Sequence, residues 1–231
     1  MQTSIAERLF SIKRRIEGAA LRCGRTPQSV RLVAVTKTHP VELVRTAVAA
    51  GITDVGENYI QEARDKFDAL SEHPLSWHFI GHLQSNKAKY AVRMFDLIHT
   101  VDSIKLAMEL NRQAQKAGKR QHILIQVNLS GEATKSGVSE QSLIDLLNGI
   151  HPLSHIKVRG LMTMPPFFDD PVKARPYFSA LRQLRDRIRS LNIPNIEMVE
   201  LSMGMTGEFE TAVEEGATLV RIGTALFGGR R

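Results

Sequence analysis

Internal disulfide chemistry is excluded at the outset, because the 231 residues contain a single cysteine, Cys23. That usage agrees with a reducing compartment. Long apolar runs are missing as well. No stretch approaches the roughly 18 consecutive apolar residues that cross a bilayer. The opening "MQTSIAERLFSIKRRIEG" carries charges at helical spacing where a secretory signal would have an apolar block. A cytoplasmic chain with no membrane partner is the expectation. Tyrosine is scarce, at three residues, which narrows the choice of acid–base groups.

What is present includes an excess of positive charge, +7 in formal terms, which raises the question of a polyanion partner. The densest basic run, "RQLRDRIRSL", answers it by its spacing. Leu181, Leu184, Ile188 and Leu191 fall three or four residues apart, so one helical stripe is apolar and the arginines take the other faces. That is the pattern of a solvated outer face, and no nucleic-acid partner is expected. The terminal "GGRR" is short and expected to fray.

Short β-rich runs alternate with helical patterns along the whole chain. The strands expected are 31–37, 54–58, 77–81, 97–102, 122–128, 157–163, 198–203 and 219–228. Between them, "HPVELVRTAVAAG" has Pro40 near its first turn and Gly51 at its end, and "DSIKLAMELNRQAQKAG" begins at Asp102 or Ser103 and closes on Gly118. Eight near-continuous apolar strands, each followed by a helix, describe a parallel sheet closed into a (β/α)₈ TIM-type barrel, here a single domain over 1–231. An open doubly wound sheet is the competing topology. No final helix is expected after the eighth strand, so the additional N-terminal amphipathic helix "SIAERLFSIKRRIEGAALRCG" is assigned to that gap.

Active sites of such barrels sit at the C-terminal strand ends. The residues there are Lys37, Asn58, His82, Asp102, Asn128, Thr163, Ser202 and the pair Gly223 and Thr224. Val33, Val35 and Lys37 share one strand face. If that face looks into the barrel, apolar walls lower the lysine pKa and free its lone pair for Schiff-base chemistry. The alternative is a strand-end lysine in water. Arg221 lies inside "LVRIG", where a buried guanidinium needs a partner, either a carboxylate such as Glu200 or Glu57 or an acceptor on a ligand. Ser202, Gly204 and Thr206 precede a helix start, and Gly223 and Thr224 lie on the adjacent strand end, the corner where barrels commonly hold phosphate. A Schiff-base lysine, a phosphate cradle and an arginine at a ring nitrogen are what pyridoxal 5'-phosphate (PLP) requires.

The segments "AVTKTHP", "GENYIQEA", "WHFIGHLQSNK", "LMTMPP" and "LSMGMTGEFETAVEEGATLVRIGTALFG" occur in this order over nearly the whole chain. They resemble the pyridoxal phosphate homeostasis protein family, whose fold is similar to the N-terminal barrel of alanine racemase. The resemblance implies PLP as a Schiff base on Lys37, with Arg221 at the ring nitrogen. Phosphate ligands are implied around Ser202, Gly223 and Thr224, Asn58 and Met203 line the cofactor, with His82 near the mouth, and Gly204 is counted with these as cofactor-binding. Thr206 and Glu208 stand where serine and aspartate are common in relatives.

The resemblance implies a carrier or regulator in intracellular vitamin B6 and amino-acid balance, with little or no turnover. Its candidate partners are PLP and PLP-dependent apo-enzymes. The residues agree: a permanently protonated arginine leaves the pyridine nitrogen largely unprotonated, so the ring is a weak electron sink. The alternative is a PLP-dependent racemase-like enzyme, which needs a second acid/base on the opposite face of the substrate. Alanine racemase takes that group, a tyrosine, from a further domain; here the candidates are His82 and Tyr59. His73, His78 and His82 lack the spacing and carboxylate context of a zinc site, so no metal is expected, and His78 reads as a polar residue of the barrel core. A closed barrel completes its own sheet, and a monomer is the default expectation.

Overall fold

Among the residues described by the computed structural model, 3–132 and 135–229, eight parallel strands close into a barrel in chain order. They are β1 (Arg31–Val35), β2 (Asp54–Glu57), β3 (Ser76–Phe79), β4 (Leu97–Val101), β5 (Gln121–Gln126), β6 (Ile156–Met162), β7 (Ile196–Met205) and β8 (Leu219–Ile222). The ring closes where β1 meets β8, with Leu32 opposite Val220 and Val33 opposite Arg221. Closure rules out the open doubly wound sheet. Arg230 and Arg231 of the terminal "GGRR" lie outside the described residues.

The alternation of side chains sorts the strands into two apolar layers. Val33, Leu97, Leu124, Met162 and Leu219 cluster within the barrel. Their neighbours Ala34, Ile98, Ile123, Leu161 and Val220 belong to a larger cluster that includes the helix faces. A strand buried on both sides has no need of a polar face, which is why every residue of β2 and β4 is buried.

The covering helices are α2 (Val41–Ala49), α3 (Ile60–Ala69), α4 (Ala88–Met94), α5 (Ile104–Lys116), α6 (Glu140–Ile150), α7 (Arg175–Ser190) and α8 (Phe209–Glu214). Of the two caps considered for α5, Ser103 takes the role, its side chain accepting from Leu106 N–H. In α7 the buried stripe is Phe178, Leu181, Leu184 and Ile188. Leu191, expected in that stripe, lies beyond the helix end and is 52% exposed.

The N-terminal helix α1 (Ile5–Arg22) starts at a capping box: Ser4 Oγ accepts from Glu7 N–H at 3.2 Å, and Glu7 Oε2 accepts from Ser4 N–H at 2.7 Å. Its buried residues Ile5, Leu9, Ile12, Ile16, Ala19 and Ala20 follow the helical period, and α1 packs on α8 beside the eighth strand as expected. One expectation fails here. The strand proposed for 219–228 ends at Ile222, and Thr224–Phe227 form a one-turn helix, α9, which α1 also contacts. Gly223, with φ −111° and ψ −82°, leaves the strand conformation and starts that turn. Cys23 stands just past α1, exposed, with its thiol directed at the Ala19 and Ala20 carbonyls.

Candidate functional site

The C-terminal ends of the strands surround a cavity of about 320 Å³ lined by Lys37, Asn58, Arg221, Gly223 and Thr224. The strand expected over 31–37 ends at Val35, which lines the cavity, and Lys37 stands in the turn two residues beyond it, lining the cavity as well. The chain around Lys37 is clamped from α3. Lys66 Nζ donates to Thr36 C=O at 2.6 Å, and Glu62 Oε2 accepts from Thr38 N–H at 2.7 Å. Thr38 itself has φ 64°, an uncommon left-handed conformation for a β-branched residue, which turns the backbone sharply after Lys37.

Arg221 is 3% exposed, and its partners are neither of the carboxylates considered from sequence. Nη1 donates to Ser202 Oγ at 2.6 Å and Nη2 to Thr163 C=O at 3.0 Å. Glu57 is bound to Lys66 and Glu200 to Arg31. Burial pushes the guanidinium pKa down to about 10, against the smaller opposing field of Glu208, so the group stays cationic at neutral pH. A fixed buried cation with neutral partners thus borders the cavity.

Asn58 is held in the wall by a close approach of two strand ends. A Cβ on Gly81 would lie 2.2 Å from Asn58 C=O, so only glycine lets the chain after β3 pass there. Asn58 Oδ1 is buried with no hydrogen-bond donor. An orphaned acceptor in a cavity wall is available to a ligand.

On the β7–β8 side the lining comprises Thr206, Gly207, Glu208, Gly223 and Thr224. The Glu208 carboxylate accepts from Met205 N–H at 2.9 Å, and Thr206 Oγ1 from Ala225 N–H at 3.4 Å. Gly204 does not line the cavity. With φ 90°, and with a Cβ that would meet Ala212 Cβ at 2.5 Å, it lets α8 pack against the end of β7.

Three other residues singled out from sequence are placed elsewhere. Ser202 faces the barrel interior, its hydroxyl held between Arg221 Nη1 and His99 Nδ1, the latter at 2.8 Å. Met203, the next residue, faces the other way into the cluster shared with the helices. His82 is exposed and lines neighbouring clefts, one with Asn58, Tyr59 and Lys87, the other with Asp102 and Lys105. Tyr59, 56% exposed, stands just before α3 rather than within it. Met164 lines the cavity, whereas Met162 is fully buried within the barrel.

Sequence reasoning missed Ile80, Phe167, Phe168 and Met205 in the cavity wall. Phe167 is 90% exposed at its edge, and no periodicity marks it in a loop. It also missed His99 and Asp54, which meet His78 inside the barrel. His99 was findable: it stands two residues after Leu97, on the same face of β4.

A profile described as "Alanine racemase, N-terminal domain" matches residues 9–231. The "Pyridoxal phosphate homeostasis protein" of Aquifex aeolicus (strain VF5) is 44% identical over 225 residues, covering 97% of this chain and 98% of that protein. This chain belongs to the pyridoxal phosphate homeostasis protein family. Two solved structures agree with that membership. One, of an unknown protein from Bifidobacterium adolescentis, superposes with a TM-score of 0.89 at 37% identity, covering 96% of this chain and 94% of that one. The other, PipY of Synechococcus elongatus PCC7942 with PLP bound, has a TM-score of 0.85 at 39% identity, with 97% and 100% covered.

The segments that carry the resemblance to the homeostasis protein family converge on the cavity. "AVTKTHP" runs from the end of β1 into the turn that carries Lys37, and "GENYIQEA" supplies Asn58 and the clamp residue Glu62. "WHFIGHLQSNK" supplies Ile80 to the lining and Gly81 against Asn58, and the long C-terminal segment spans the end of β7, α8, β8 and α9.

Proposed function

We propose that the chain binds pyridoxal 5'-phosphate in this cavity and acts in intracellular PLP and amino-acid homeostasis, with little or no turnover. The observation that carries the reading is the convergence of Lys37 and Arg221 on one cavity. Its volume lies in the range of about 300–1,000 Å³ usual for small-molecule sites. The donor set fits the cofactor. Lys37 would provide the amine that holds the cofactor through its aldehyde carbon. Arg221 would hold the ring nitrogen, and Asn58 offers its unpartnered Oδ1. Thr206, Gly207, Gly223 and Thr224 take the phosphate, with Glu208 held back by its bond to Met205 N–H. PipY, a relative of nearly equal extent, is a PLP-bound protein, and the Aquifex aeolicus relative is named for PLP homeostasis.

PLP supplies an electrophilic carbonyl and an electron-withdrawing ring. What the chain would add restrains rather than drives carbanion chemistry, because a cationic arginine would donate to the ring nitrogen without protonating it. Among the described residues lining the cavity, the ionisable side chains are Lys37, Glu208 and Arg221. Tyr59 and His82, the acid/base candidates of the racemase reading, stand in the neighbouring cleft and not in the lining that holds Lys37. Gly204 and Met203 support the site from behind, and Ser202 acts through Arg221. Residues 1–231 act as one PLP-binding unit, and the closure of β1 on β8 supports a monomer.

The test is the visible absorbance of the purified protein mixed with PLP. The wild type takes up cofactor and gains a band that the Lys37→Ala variant lacks. A colourless wild type that leaves added PLP free overturns the reading. Stereoinversion of alanine or serine at ordinary enzymatic rates, about 1 per second or more, would favour the racemase-like enzyme.

A further inference from the structure

A line of hydrogen bonds runs through the barrel interior from the cavity to the opposite, N-terminal end. Arg221 Nη1 donates to Ser202 Oγ at 2.6 Å, and Ser202 Oγ lies 2.8 Å from His99 Nδ1. His99 Nε2 lies 2.8 Å from His78 Nδ1. His78 Nε2 in turn lies 3.2 Å from Asp54 Oδ1, with Ser76 Oγ at 3.1 Å. Asp54, the first residue of β2, also accepts from Thr53 Oγ1 at 2.8 Å and from Arg31 Nη1 at 3.3 Å. Arg31 has a second carboxylate partner, Glu200. Around the line pack Val33, Leu97, Leu124, Met162 and Leu219.

The chemistry of the end groups fixes the direction of the hydrogens. A guanidinium only donates, so Ser202 Oγ accepts from it. The serine hydrogen then goes to His99 Nδ1, which leaves His99 Nε2–H to donate to His78 Nδ1. His78 Nε2–H then points at the Asp54 carboxylate. In this order each imidazole carries its hydrogen on Nε2, and every bond dipole points from the buried cation to the buried anion. The reverse order would leave the serine hydrogen without an acceptor on this line and set a histidine lone pair against a carboxylate. The charge state of His99 agrees with the forward order: burial, with the charge of Arg221 adding to it, holds it well below the ordinary histidine range. At Asp54 burial acts to raise the pKa, but the hydrogen bonds of His78 and Thr53 and the charge of Arg31 outweigh it and keep the carboxyl ionised.

Packing alone would fill the middle of a barrel with apolar side chains. A buried polar line is retained at a cost in desolvation and confers a defined geometry only when every member is satisfied. We propose that Asp54, His78, His99 and Ser202 form an oriented relay of positioning residues. It holds Arg221 against the ring nitrogen of the bound cofactor and ties that nitrogen's hydrogen bond to the Asp54–Arg31 pair at the far end of the barrel. The proposal rests on the PLP-binding reading above, and its two tests separate the two.

The first test uses the protein without cofactor. Nitrogen-detected NMR of the imidazoles at neutral pH shows His78 and His99 as neutral Nε2–H tautomers; an Nδ1–H tautomer at either overturns the relay. The second follows the visible spectrum of the PLP-loaded protein against pH in Asp54→Ala, Ser202→Ala and a packing control, Leu147→Ala, on the buried face of α6. The two relay variants move the midpoint of the spectral change by about half a unit or more, as expected when a buried charge or its hydrogen bond is lost. The control, which removes core volume without touching the line, leaves it in place. Relay variants that titrate like the control overturn the coupling, and Ser202→Ala decides the matter if Asp54→Ala does not fold. A wild type that takes up no PLP defeats the functional reading, and the tautomer measurement still judges the line's orientation.

Discussion

Lys66 Nζ and Glu57 Oε1 meet at 2.6 Å in a layer where their side chains are 6% and 0% exposed. Glu57 Oε1 also accepts from Thr36 Oγ1 at 2.6 Å, and Lys66 donates to the Thr36 carbonyl. The pair therefore fixes the backbone one residue before Lys37. A buried ion pair is hard to break from one side, because the remaining charge loses its counterion in a low-dielectric space.

Lys66→Met is accordingly expected to cost about 3–5 kcal/mol, measured by urea unfolding. Exchanging both partners for apolar residues of similar volume, Lys66→Met with Glu57→Leu, recovers most of that loss. Such a double variant as unstable as the single one would mean that the charges do not act as a pair. Because the Thr36 carbonyl then lacks its ammonium donor, PLP uptake stays impaired even where stability returns.

The stability of the protein falls with pH below the ordinary histidine range. Burial, with His78 and Arg221 adding to it, depresses the folded-state pKa of His99, so the unfolded chain binds the proton more tightly. The stabilising contribution is whole above the unfolded value, about 6.5, and is lost as pH drops through the window beneath it toward the folded value. Asp54, whose pKa is also lowered, acts in the same sense in the more acidic window of a carboxylate. Chemical unfolding between about pH 7.5 and 5.5 should lose up to about 1.4 kcal/mol per pH unit from His99. His99→Asn should be less stable throughout and have a shallower slope. Equal slopes would mean that His99 is protonated in the folded barrel.

Helix α1 depends on its first turn. Ser4→Ala removes the acceptor for Glu7 N–H and leaves the reciprocal Glu7 contact to Ser4 N–H. A loss of about 1 kcal/mol is expected, read as a lower thermal midpoint with PLP uptake unchanged, since α1 does not line the cavity. A drop in uptake would mean that α1 also governs the β8 end through its contact with α9.

The eight strands and their helical covers were legible because burial on both faces writes continuous apolar runs into a sequence, and glycine or serine marks the breaks. Their ends were less so. "LVRIGTALFG" is apolar throughout, and composition alone cannot separate a four-residue strand from the one-turn helix that follows it. Ser202 and Met203 were both assigned to the cofactor, yet adjacent residues on a strand face opposite sides, and the structure sends one into the barrel and the other toward the helices. Arg221 was read correctly as a buried cation in need of partners, but its partners come from β7 and from Thr163, just past β6, far away in sequence. Only the register of the closed sheet brings them together.

Gly204 offers a test of how the β7–β8 corner is held. Its φ of 90° is strained for any residue with a side chain, and a Cβ would stand 2.5 Å from Ala212 Cβ and 3.1 Å from Phe209 Cα. Gly204→Ala therefore has to twist the end of β7 or push α8 outward, at about 1–3 kcal/mol for the backbone conformation. Either movement carries Met205, Thr206 and Gly207 with it, and these line the cavity. The variant is expected to fold with a lowered thermal midpoint and to release PLP faster than the wild type in a dilution assay. Pairing it with Ala212→Gly relieves the side-chain overlap but not the φ strain. The double variant should thus regain part of the stability and most of the PLP retention, if displacement of α8 is what loosens the corner. Retention that stays low while α8 has room again would locate the fault in the twist of β7 itself.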